Sequence, residues 1–203
     1  MSINKRRLNA DDEMTDVLTK DQRIRRVALL CCHFTRNLAY FRSGWTELKP
    51  KEEGAFWITA IGGFIDVAVL EWCKLFGNHG DKHHWKNIVT DRVAFRSELK
   101  NRLGIKTADW DKAWASVRTY RNEFIAHLDS ALEMHIPDMH LPQRMVEFYF
   151  SQLRDLCSNE HVLRDAPIDM DAYYVTCYQQ GVAVYQRNKN LEGKLTIRPT
   201  GRR

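Results

Sequence analysis

Five residues in one short stretch carry the chemistry of this chain: Arg118, Arg121, Asn122, His127 and Asp129, within Val117–Asp129. An arginine is a permanent cation whose planar fork matches two oxygens of a phosphate. A histidine is the side chain that gains and loses protons near neutral pH. Asn122 can donate to, or accept from, a hydroxyl or phosphate oxygen. Such a set suits cleavage of RNA by its own 2′-hydroxyl. That reaction needs removal of the hydroxyl proton, stabilisation of charge on the phosphorane and protonation of the leaving 5′-oxygen. His127 suits either proton transfer, and Arg121 suits the charge stabilisation. Arg118 and Asp129 enter as candidate substrate-binding residues. Asp129 would orient His127 or simply end the helix.

Spacing sets a geometric condition. Six residues of regular α-helix turn through about 240° net, so Arg121 and His127 would point about 120° apart. Either the helix loosens before Asp129, or the site is completed across a two-fold axis. The bland alternative is structural: a histidine near a helix C-terminus is stabilised by the helix dipole, and both arginines can pair with Glu123 or Asp129 on a wet surface.

Arg121-Asn122, four further residues and then His127 resembles the arginine–polar–spacer–histidine signature of the HEPN-domain ribonucleases, and the wording YRNEFIAHLD is similar to the AbiU-type abortive-infection branch. The extended segment MHIPDMHLP that follows adds to the resemblance, which covers about residues 20 to 160. It implies an all-α, HEPN-like bundle of five to six helices and a metal-independent endoribonuclease of the toxin or antiviral-defence kind. Arg121, Asn122 and His127 would be catalytic in a homodimer with a shared cleft. The resemblance also implies RNA as partner, a possible antitoxin or other regulatory partner, no cofactor and no metal. The alternative is a non-catalytic helical module that binds RNA, nucleotide or a protein through the same groove.

The elements that must position these residues follow from periodicity. Residues 1–18 are polar and mixed in charge, the composition of a flexible lead-in without the apolar centre of a signal peptide. Thr19-Lys20-Asp21-Gln22 has the form of a capping box, and Ile24, Val27, Ala28, Cys31, Phe34, Leu38 and Phe41 repeat behind it at helical spacing up to Ser43-Gly44. The arginines at 23, 25, 26, 36 and 42 fit a solvated face better than an RNA groove. A second helix, Glu53 to Phe76, is apolar around most of its circumference and is expected to be a buried central element. Its segment Ala55–Leu70 is short for a membrane span and carries Asp66, which would pair with an arginine or face a pocket. Gly62-Gly63 in mid-helix predicts close approach by another helix.

The histidine-bearing loop Gly77–Trp85 offers His79, His83 and His84. Imidazoles suit zinc or nickel, but their spacing matches no closed site, and an exposed polar loop is the favoured reading. Thr90 and Thr107 are candidate caps of a third helix, Asp91 to Leu103, and a fourth. Trp110, Ala113, Trp114, Val117, Tyr120, Ile125 and Leu128 form the fourth helix's apolar side. Tyr120 and Phe124 are expected to supply apolar contact around a dimer cleft. Pro142 sits in the first turn of a fifth helix with Met145, Phe148, Tyr149, Leu153 and Leu156 on one face. A tyrosine-rich sixth runs from Met170 to about Arg187. Beyond it, six basic residues (187, 189, 194, 198, 202, 203) against Glu192 make a tail expected to be mobile and able to touch RNA or water.

The domain reading is therefore a lead-in, 1–18, a HEPN-like bundle, 19–160, and an additional helix with a basic tail, 161–203. A net charge of +5 permits nucleic-acid binding without requiring it. Five cysteines with no Cys-x-x-Cys pair signal neither a disulfide framework nor a zinc finger, which fits a reduced, cytoplasmic protein with no membrane partner.

Overall fold

Why the chain folds as it does is clearest in its first helix, seen in a computed structural model that describes residues 18–45, 50–51, 54–126, 135–157 and 159–195. Helix α1, Lys20–Gly44, opens on the full capping box. The Thr19 hydroxyl accepts from the Gln22 amide, and the Gln22 side chain accepts from the Thr19 amide. All seven apolar residues at helical spacing are buried. Helix α2 (Ala55–Trp72), α5 (His140–Leu156) and α6 (Met170–Leu195) pack around α1, which is the true centre of the bundle. Helices α3 (Arg92–Leu103) and α4 (Thr107–Tyr120) complete it, and no strand forms among the described residues beyond one isolated bridge, Trp45 to Pro50. The architecture is an all-α bundle of six helices.

Helix α2 departs from the expected all-round burial. Ile61, Ile65, Ala68, Val69 and Trp72 face the core, while Phe56 is 74% exposed and Ile58 and Val67 are also open. The helix packs on α1 along one face, and its outer face is left open among the described residues. Gly62 and Gly63 lie on the open side: a methyl group at either would meet nothing within 4 Å. The close approach they predicted is absent among the described residues. With the π-helical turn that continues it, the helix Ala55–Gly77 is 23 residues long, and by length and composition alone it could cross a membrane. Asp66 accepts a hydrogen bond from the Tyr120 hydroxyl at 2.9 Å, so its partner is a phenol and not an arginine.

Two close approaches occur instead between α1 and α6. A methyl group on Gly44 would overlap the Tyr185 ring, and one on Gly181 would overlap the Ser43 side chain. Tyr40 donates to Gln180, and Arg42 lies 5.7 Å from the Tyr174 ring centre. Helix α6 continues to Leu195, past the expected end near Arg187.

Caps shift by one residue from the expected positions. Asp91, not Thr90, caps α3 by accepting from the Val93 and Ala94 amides. Thr107 is the first residue of α4 rather than its cap, and the Asp109 carboxylate accepts from the Lys106 amide at 2.7 Å. Gly104 ends α3 in the left-handed conformation, φ 65°, where a glycine carries no Cβ penalty.

Candidate functional site

Helix α4 does not continue regularly into the arginine motif. At Arg121 it widens into a π-helical segment, Arg121–Ala126. A second π-helical turn, Cys73–Gly77, ends α2 and packs against α4. π-Helical turns are rare and concentrate at functional sites, because the extra residue re-aims side chains that a regular helix would spread evenly. Here residues of both turns line one cleft.

That cleft has a volume of about 330 Å³ and is lined by Leu70, Cys73, Lys74, Gly77, Asn78, Asp81, Arg118 and Arg121. Arg121 is exposed, and its guanidinium donates to the Asn122 amide oxygen at 2.8 Å, so the two neighbours move as a pair. Arg118 is more firmly held. Its guanidinium carbon stands 4.3 Å from the centre of the Trp114 ring, one helical turn back. The Trp114 indole in turn donates to the Phe76 carbonyl at 3.1 Å. Lys74 donates to Glu71, leaving its ammonium on the cleft's edge.

The charge in the cleft is read by Cys73. Burial pushes its thiol up to about 11, even though Arg121 and Arg118 pull the other way. It is therefore a neutral thiol at physiological pH and no nucleophile. What the cleft offers is positive charge: Arg118 and Arg121, with Lys74 paired to Glu71, against Asp81, whose carboxylate already accepts from the His83 amide and ring. It can hold an anionic group such as a phosphate, with donors on two sides.

Of the sequence-predicted residues, Arg118 and Arg121 meet in this cleft, with Asn122 bound to Arg121. His127 and Asp129 lie outside the described residues. Tyr120 departs from its expected role: it is 2% exposed and committed to Asp66 within its own chain. Burial and that bond push its hydroxyl well above the usual phenol range. Phe124 packs on the Tyr120 ring at 5.6 Å and is half-buried. Tyr120 is therefore not free to form an apolar rim. Sequence reasoning missed Lys74, Asn78 and the Trp114 anchor. The i, i+4 spacing of Trp114 and Arg118 was the available signal for the last.

The histidines of the 77–85 loop have separate tasks. His83 pairs with Asp81, Nδ1 to Oδ1 at 3.1 Å. His84 is fully buried; its Nδ1 accepts from the Lys86 amide and its Nε2–H donates to the Phe76 carbonyl. Burial lowers its pKa to about 4, so it is neutral. His79 packs edge-on against His84, and its Nε2 accepts from the Lys86 ammonium at 3.3 Å. Among the described residues no three His, Cys, Asp or Glu side chains are grouped to hold a metal. Compared with known proteins, the chain matches no family model, no curated sequence and no solved structure.

Proposed function

We propose that the protein is a metal-independent endoribonuclease of the HEPN kind, acting in toxin-type or abortive-infection defence. The observation that carries the reading is the convergence of Arg118, Arg121 and Lys74 on one cleft, at the π-helical break that immediately precedes His127. Arg121, paired with Asn122, stabilises negative charge on the phosphorane, a contribution commonly worth about 2.7–4 kcal/mol in such sites. Arg118, braced on Trp114, holds the adjacent phosphate in line. His127 transfers the proton, and Asp129 orients it. No step in this scheme calls for a metal ion.

One histidine in each chain's motif leaves one proton transfer unassigned, and a two-fold axis supplies the second. The proposed homodimer brings the α4 helices of two copies together at the cleft. Its apolar contact comes from α2, where Phe56, Gly63 and Val67 recur at helical spacing on the open side and Leu70 and Lys74 carry the same stripe into the cleft. Purified protein incubated with mixed RNA in EDTA should release fragments ending in 2′,3′-cyclic phosphate, and His127→Ala should bind the RNA without cutting it. Intact RNA, at concentrations where the protein is dimeric, argues for the second reading, a binding module using the same cations. That reading is favoured by one observation, the Trp114 ring that lies against Arg118 beside the cleft.

A further inference from the structure

Beside the arginine cleft, with Trp114 in its wall, lies a separate pocket of about 220 Å³. Its wall is aromatic: Trp85 and Trp110 stand edge to face at 6.2 Å, and Trp114 closes one side. Its rim is cationic. Lys86 stands 5.7 Å from the Trp85 ring centre, and the Arg96 guanidinium is 5.4 Å from that of Trp110. The one acid on the wall, Asp111, reaches Arg96 only at 3.8 Å, and the Arg96 Nε is buried without a hydrogen-bond partner. His79 tilts toward Trp114 with ring centres 6.4 Å apart.

We propose that this pocket takes an unpaired base of a single-stranded RNA whose phosphate lies on Arg118 and Arg121. The proposal rests on the reading of the arginine cleft as an RNA-phosphate site and adds to it the place where the neighbouring base goes. Three features support it. The volume is below the range of about 300–1,000 Å³ that holds drug-sized ligands, which suits one flat ring system better than a larger molecule. Indole faces stack on any base, and unpaired bases are commonly bound on aromatic rings and arginine planes. Arg118 and Trp114 also join the two places, since Arg118 lines the cleft and lies on the ring of Trp114, which lines the pocket.

The hydrogen-bonding pattern adds polarity to the site. Because the Lys86 ammonium donates to His79 Nε2, the other ring nitrogen of His79 carries its proton and is a donor for a base edge. His79's pKa is lowered by partial burial and by the charges of Lys86 and Arg118, which keeps this neutral tautomer in place.

The test compares two 2′-O-methyl RNA strands, which cannot be cleaved: one of mixed sequence and one of equal length lacking its bases. Stacking of one base is worth about tenfold in affinity or more. Wild-type protein should prefer the base-bearing strand by about that factor, and Trp114→Ala should erase the preference, weakening binding of both strands alike to the extent that Arg118 loses its brace. Should that variant fold poorly, tryptophan emission of the wild type decides: the base-bearing strand quenches it and the abasic strand does not. Equal affinity of the wild type for both strands, or a preference that survives Trp114→Ala, overturns the base pocket and leaves the phosphate cleft standing. Binding of neither strand overturns both.

Discussion

At the scale of the residue, burial decides which polar groups are available for chemistry. His84 is the clearest case, because both ring nitrogens are used within the fold and its surroundings exclude water. Its pKa is about 4 in the folded state against about 6.5 in the unfolded chain. As pH falls through 6.5 the unfolded chain takes up a proton that the folded state refuses, so stability falls. The loss continues down to about pH 4 and amounts to at most about 3 kcal/mol. Denaturant melts between pH 7 and pH 4 should therefore show a steeper decline for wild type than for His84→Gln, which keeps an amide donor and cannot titrate. Parallel curves would mean that His84 is not buried as described. Arg121 and Asn122 were readable as functional candidates because their types are informative wherever they lie. Tyr120 was misread, because no pattern in the sequence reveals that Asp66, more than fifty residues earlier, waits for its hydroxyl.

At the scale of the element, α1 and α5 were legible and α2 was only half so. The α1 stripe alternates apolar and polar residues cleanly, so its buried face follows from periodicity alone. Helix α2 is apolar all round, and such a sequence does not say which face the chain will cover. The same ambiguity surrounds glycine. Gly62 and Gly63 drew the expectation of a close helix crossing, yet the crossing that needs glycine is at Gly181 and Gly44, where α6 meets α1. The π-helical turn at Cys73 was not legible, since a widened turn follows from packing and not from local propensity; the one at Arg121 was foreseen only as a loosening of the helix before Asp129. The α6 crossing makes a direct prediction. Gly181→Val should destabilise the protein by about 1–3 kcal/mol through overpacking against Ser43, measured as a lower denaturation midpoint. An unchanged midpoint would mean that α6 stands further from α1 than described.

At the scale of the whole molecule, the central feature is asymmetry between a closed core around α1 and an open side where α2, the cleft and the base pocket lie. An apolar stripe that runs into a positively charged cleft fits association with a second copy, which would cover Phe56 and Val67 and double the cations facing one phosphate. Val67→Asp should therefore shift sedimentation from dimer to monomer at micromolar concentration without lowering the melting midpoint of the monomer, because the side chain is already exposed. A wild type that is monomeric at that concentration and still cleaves RNA contradicts the shared cleft. The central claim is narrower, that the cations at the π-helical break act on a scissile phosphate. Its most direct measurement is the single-turnover rate of RNA cleavage in EDTA for wild type and Arg121→Ala, with both at saturating protein. Cleavage by the wild type, slowed about 10²–10³-fold in the variant, is the predicted result; equal rates, or no cleavage by either, contradict it.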